Sequence, residues 1–276
     1  MQCARKLALA TGIYVTALFA AHPALATDED RFNIVGLKLG MSPEQAMQIL
    51  RAHGVKESTI DETRQSYSYS DGIKHDYRTE DFLFRVAAMK DEITNNRRSS
   101  DTFNLYFSPP PEGGQLVAVQ RTIENRIDPV TNGQFRQAVI GKYGEPTDST
   151  PGNLNWKFGS GTKNCVSGSV NGIGISVPTP RPGRSESILG IVYRKSGSQV
   201  QLNQFKNSRI NSLEECASML EYSIMNMDDR PATTVRASMI DVQSWVKAEL
   251  AASEQVETLR RAAIEKRESK GSKPAL

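Results

Sequence analysis

Ser160-Gly161-Thr162-Lys163 has the S-x-x-K spacing in which a lysine can take the proton of a serine nucleophile, so it is the first place to look for chemistry. Neither S-D-N nor K-T-G accompanies it, and a turn is the simpler reading. Removing a leader ending at Ala26 takes His22 away and leaves His53 and His75, too few for a histidine metal cluster. His53 falls in the last turn of an expected helix, where a cation is favoured by the helix dipole. His75 falls in a polar loop. Gly159, Gly161, Gly168, Gly172 and Gly174 match neither G-x-G-x-x-G nor a Walker spacing, and read as turns. The acidic stretch Thr79 to Asp81 has no partner carboxylates that sequence can pair with it, so glycosidase chemistry is unsupported. These residue types specify no catalytic set, no cofactor site and no metal site.

The cysteines are more informative. Cys3 precedes the apolar run Leu7 to Ala21, which follows Arg5 and Lys6 and ends in Ala24-Leu25-Ala26. That order is a secretory signal peptide over residues 1 to 26 with an A-x-A cleavage site. The competing reading, a membrane anchor, requires about 20 apolar residues and has 15 here. A lipid-acceptor cysteine would follow the apolar run, not precede it. An exported protein, periplasmic or secreted, is therefore expected. Cys165 and Cys216 remain, and in an oxidising compartment their simplest use is a disulfide with each other, a reactive thiol being the alternative.

The 276 residues carry 34 basic and 31 acidic side chains, and 38% are hydrophobic. The balance gives no general nucleic-acid footprint, and the apolar content is enough for a folded core. No segment after the leader is long and apolar enough to span a bilayer.

Several elements can be read from capping residues and periodicity. Ser42-Pro43-Glu44-Gln45 is an S-x-x-Q capping box with proline at the first helical position, and Gly54 is a left-handed stop. Strand-like runs follow at Ser66 to Ser70, Phe82 to Lys90, Thr102 to Ser108 and Gln115 to Ile123, the last two as a hairpin around Pro109 to Gly114. About 90 residues later a helix opens at Asn132-Gly133-Gln134-Phe135 and closes at Gly144. Further strand-like runs are Asn153 to Gly159, Cys165 to Val177, Ser187 to Arg194 and Gln199 to Phe205. Leu154, Trp156 and Phe158 share one face of a strand, as do Phe103, Leu105 and Phe107, with mostly polar residues between. Ser212 with Glu215 reads as another capping box, with Leu213, Cys216, Leu220 and Ile224 on one helix face. A last helix is expected from about Ser238 to Lys266.

Gly36-Leu37-Lys38-Leu39-Gly40-Met41-Ser42-Pro43-Glu44-Gln45-Ala46 and Lys142-Tyr143-Gly144-Glu145-Pro146-Thr147 resemble the motifs of SmpA/OmlA-type outer-membrane assembly lipoproteins (BamE-like). The order of elements is also similar to the tandem β-lactamase-inhibitor-protein (BLIP-like) fold. The likeness covers roughly residues 33 to 206 as two copies. Departures are the absent lipid-acceptor cysteine, one helix per copy in place of two, and C-terminal helices without a counterpart. The resemblance implies a non-catalytic role in protein binding or envelope assembly and maintenance.

The expected fold class is α+β: two tandem units, each a helix on an antiparallel sheet, followed by C-terminal helices. The expected divisions are residues 27 to 128 and 129 to 211 for the units, 212 to 266 for the helical region and 267 to 276 for a disordered tail. A protein partner in the cell envelope is expected on a polar sheet face opposite the helices. Tyr67 and Tyr69 are candidates for partner binding, the alternative being core residues. The basic C-terminal tail is either a weak contact for an anionic surface or a solvated helix end. The functional alternative is an envelope-acting hydrolase or transferase with Ser160 and Lys163 as its pair.

Overall fold

The computed structural model describes residues 31–73, 75–165 and 213–271. The expected leader, the expected strands of 166–205 and the final tail from residue 272 lie outside the described residues. The elements in chain order are α1 (Pro43–Ala52), β1 (Ile60–Gln65), β2 (Ser68–Ser70), β3 (Asp76–Arg78), β4 (Phe82–Thr94), β5 (Arg97–Phe107), β6 (Leu116–Asn125), α2 (Asn132–Tyr143), β7 (Asp148–Thr150), β8 (Asn153–Phe158), β9 (Ser218–Ile224), β10 (Thr234–Ile240) and α3 (Val242–Ser269). Among the described residues, eight strands form one antiparallel sheet in the order β1-β4-β5-β6-β10-β9-β8-β7, and β2 pairs with β3 as a separate two-stranded sheet. The fold is α+β, with a large antiparallel sheet and a C-terminal helix.

Local chemistry explains the helix ends. At α1, Ser42 Oγ accepts from Gln45 N at 3.3 Å and Gln45 Oε1 accepts from Ser42 N at 3.0 Å. Gly54 ends the helix at φ +94°. The second helix uses the same box one residue earlier than read from sequence: Thr131 is the N-cap and Gln134 its reciprocal partner. The β4–β5 hairpin runs further than its apolar residues suggest. Asn95 and Asn96 take φ of +50° and +61°, the left-handed pair of a two-residue type I′ turn. That turn carries the ladder through the charged stretch 90–101, which has no apolar alternation to reveal it.

Two expected helical stretches are corrected. Residues after Ser212 form only a 3-10 turn, Leu213–Glu215, and then β9 in place of a helix. Leu220, Tyr222 and Ile224 alternate onto the face that α1 and α2 cover, while Met219 packs on the α3 side. A strand buried on both faces lacks clean alternation, and Leu213, Cys216, Leu220 and Ile224 imitate helical spacing. The last helix begins later than Ser238, which lies within β10. Its N-cap is Asp241, whose Oδ1 accepts from Ser244 N at 3.0 Å.

The core has two layers, one on each face of the sheet. Under α1 and α2 lie Phe103, Leu105, Phe107, Val119, Leu154, Trp156 and Leu220, all 3% exposed or less. Under α3 lie Tyr106, Val117, Ala118, Met219 and Ile240, against Trp245 and Val246. Cys165 and Cys216 are joined by a disulfide within this second layer. Their sequence separation of 51 corresponds to about 4 kcal/mol in the chain-entropy model, an upper figure for a bond whose mechanism is model-dependent. Reduction is expected to lower the melting temperature markedly. Peptide mapping without reductant should recover Cys165 linked to Cys216; two free thiols would contradict the pairing.

Candidate functional site

The sheet face on the α3 side carries two polar rows that cross five strands. Register places Asn104, Gln120, Ser238, Glu221 and Asn155 side by side, and next to them Thr102, Thr122, Arg236, Ser223 and Asn153. The intervening residues, among them Phe103, Val119 and Leu154, point into the α1–α2 core. Ser238 and Glu221 are buried, Arg236 is exposed and the remaining row members are half-buried. The Tyr106 hydroxyl donates to Gln120 Oε1 at 3.4 Å, joining the rows to the apolar strip under α3. The rows hold the buried Glu221 carboxylate, the exposed Arg236 guanidinium and neutral polar side chains over the middle of the sheet, with Gln120, Ser238 and Glu221 themselves engaged in interactions. The second row, with Arg236 exposed and Thr102, Thr122, Ser223 and Asn153 half-buried, is of the kind that recognises a protein through modest hydrogen bonds.

Tyr67 and Tyr69 lie away from these rows. Tyr67 is 2% exposed and packs with Phe82, Ala252 and Val256, and its hydroxyl donates to Glu249 Oε2 at 3.5 Å. Tyr69 stacks on Tyr77 with ring centroids 5.3 Å apart. The β2–β3 hairpin that carries Tyr69 is tied to α3 by Arg267, which donates to the Asp71 carbonyl. Both tyrosines therefore help seat α3, and Tyr67 is within the core beneath it. Sequence reasoning expected a polar sheet face opposite the helices but named Tyr67 and Tyr69 for it in place of the residues of these rows. Their signal was the run of polar residues between Phe103, Leu105 and Phe107, which alternation assigns to the far face.

Burial pushes the phenols of Tyr67, Tyr106, Tyr143 and Tyr222 above the ordinary tyrosine value; at Tyr67 the Glu249 carboxylate adds to the effect. The folded chain keeps these protons at a pH where the unfolded chain, titrating near about 10, has released them. Stability from these groups is full below that pH and falls as pH rises above it. Melting curves from pH 8 to 11 should show the melting temperature declining above about pH 10, with a shallower decline in Tyr67→Phe. A level profile to pH 11 would contradict this reading.

Ser160 and Lys163 make separate contacts. The Lys163 ammonium is 2.5 Å from Glu215 Oε2, while Ser160 Oγ is 3.4 Å from Gln243 Nε2. The backbone of Thr162 and Lys163 donates to the Glu215 carbonyl, and Ala217 N donates to Lys163 O. The S-x-x-K stretch thus pairs with the chain around Cys216. Ser160 borders a cavity of about 430 Å³ shared with Phe32, Phe158, Gln243 and Lys247.

On the opposite face, Arg121 forks onto Asp101, with Nε to Oδ1 at 2.8 Å and a terminal nitrogen to Oδ2 at 2.7 Å. His53, capping α1, is 2.8 Å from Asp101 Oδ2, and its ring meets Phe103 edge-on. Beside this group the Tyr143 hydroxyl donates to Asn33 O at 2.7 Å and lies 3.1 Å from the Tyr222 hydroxyl. The cluster ties α1, α2 and the N-terminal segment to the sheet. Its geometry is that of a clamp. The clamp keeps the sheet in place as a platform for the polar rows.

Among the described residues, no group of three or more His, Cys, Asp and Glu side chains could hold a metal ion, and no helix is long and apolar enough to cross a membrane. Comparison with known protein families, with curated proteins and with solved structures finds no match to this chain.

Proposed function

We propose that this is an exported, non-catalytic protein that binds a protein partner across the polar rows of its sheet, in assembly or maintenance of a cell envelope. The carrying observation is the position of those rows. They run through the centre of the described sheet, beside the apolar strip on which α3 packs. The buried disulfide is compatible with an oxidising compartment. The tandem reading is supported by the strand order, in which β1-β4-β5-β6 and β10-β9-β8-β7 meet at their last strands and each set follows one helix. On that reading the second unit extends through β10, beyond the division at residue 211. The SmpA/OmlA-like and BLIP-like resemblance belongs to the same proposal.

A photo-crosslinking residue at Thr122 should trap a discrete partner in cells, and Arg236→Glu should abolish the adduct at unchanged melting temperature. The same probe at Glu44 on α1 serves as the control. Equal adducts from both positions, or persistence in Arg236→Glu, would overturn the reading. Ser160→Ala and Lys163→Ala are expected to leave trapping intact. Loss of cellular function from either change, with folding and trapping preserved, would instead favour the hydrolase or transferase.

A further inference from the structure

At the turn end of the sheet a recess of about 560 Å³ is lined by Arg97, Arg98 and Arg126, with Asn96 and Glu124. Backbone geometry makes these three residues neighbours. The Asn95-Asn96 turn sets Arg97 opposite Thr94 and Arg98 opposite Ile93. The β5–β6 ladder closes with Ser99 opposite Asn125, which brings Arg126 beside the two hairpin arginines. Asn125 Oδ1 then accepts from Ile127 N at 3.1 Å and Asp128 N at 3.3 Å, fixing the chain just beyond Arg126. The lining carries three positive charges against one negative. Arg98 is 3.5 Å from Asp91, but both side chains are well exposed and such a pair neutralises little. Among the described residues neither Arg97 nor Arg126 is within ion-pair distance of a carboxylate.

We infer that this recess binds a phosphate-bearing anion. Guanidinium groups present paired N–H donors at the spacing of phosphate oxygens, and several of them can share one dianionic group. The Asn96 amide adds a neutral donor at the rim. An anion also relieves the mutual repulsion of three like charges on neighbouring residues. Ile93, 70% exposed and opposite Arg98, gives the rim an apolar point. That point is suited to a phospholipid headgroup and irrelevant to a free phosphate, so the two sources are separable. The inference does not rest on the protein-binding reading, because its variants lie at the turn end and leave Thr122 and Arg236 untouched.

The test uses the purified protein with two probes: inorganic pyrophosphate, followed by calorimetric titration, and phosphatidylglycerol vesicles, followed by co-sedimentation against phosphatidylcholine vesicles. Binding to at least one phosphate probe is expected at low ionic strength, weakening with added salt. Arg97→Gln with Arg126→Gln should reduce that binding by about tenfold or more at an unchanged melting temperature. Loss of vesicle binding alone in Ile93→Ser identifies a lipid headgroup; pyrophosphate binding without vesicle binding identifies a free phosphate. Failure of both probes to bind would overturn the inference. So would undiminished binding by the double arginine variant, which would move the anion contact to another basic segment such as the C-terminal tail.

Discussion

Gly161→Ala should be among the most damaging single substitutions in this chain, lowering stability by about 3 to 5 kcal/mol. A methyl group at this position would sit 2.1 Å from the carbonyl carbon and oxygen of Cys216 and 2.5 Å from Ala217 N. Those atoms are backbone, so no rotamer change can relieve the overlap. The strand-like segment must separate from the chain it pairs with, giving up the Lys163 N to Glu215 O bond at 2.8 Å and the Ala217 N to Lys163 O bond at 2.9 Å. Cys216 would be displaced along with its disulfide. Chemical denaturation provides the measurement, with Gly141→Ala as the comparison. Gly141 lies within α2 with open space around its Cβ direction, and alanine there should be neutral or stabilising by up to about 1 kcal/mol. Equal stability of Gly161→Ala and wild type would refute the packing described around Cys216.

Asp101→Ala is the second large effect, about 3 to 5 kcal/mol, because it strands a charge in place of deleting a neutral contact. The Arg121 side chain is 15% exposed and Asp101 is 14% exposed, so water replaces little of the lost carboxylate. His53 loses its partner in the same step. His53→Ala, by contrast, leaves the Arg121–Asp101 fork in place and should cost about 1 kcal/mol. The decisive comparison is Asp101→Ala with Arg121→Met. Removing both charges should recover most of the stability lost in the single Asp101 variant. If the double variant is as unstable as the sum of its parts, the fork is not the source of the effect.

Capping residues made the first two helices legible before any coordinates. Ser42 with Gln45 and the glycines at 54 and 144 are local signals, and local signals survive folding unchanged. The β5–β6 hairpin was legible for the same reason, with Phe103, Leu105 and Phe107 alternating ahead of a proline-rich loop. The region after Leu213 was not. Which face of β9 and β10 is buried depends on α3, an element that follows them in sequence, and a strand covered on both sides reads much like a helix. The same dependence hid the role of Tyr67. Its alternation with Tyr69 was visible, but its burial comes from Ala252 and Val256, contacts that no local pattern records. The Asp101 clamp was equally out of reach, since His53, Asp101 and Arg121 come from three separate elements.

The placement of β10 between β6 and β9 has a consequence for how the chain matures. The two middle strands of the sheet, β6 and β10, pair across more than a hundred residues, from Thr234 with Glu124 to Ile240 with Ala118. A growing chain that has already assembled β1, β4, β5 and β6 must therefore wait with Leu116–Asn125 as an open margin. Val117 and Val119 lie along that margin, one facing each side, so the waiting strand offers both free amides and sticky flanks to any neighbour. Long loop closure makes this last docking step slow, and slowness lengthens the exposure. The half-made molecule is thus at greatest risk of self-association in the interval before its final hairpin arrives, and a chaperone that shields β6 during that interval would raise the yield more than one acting on the unfolded chain.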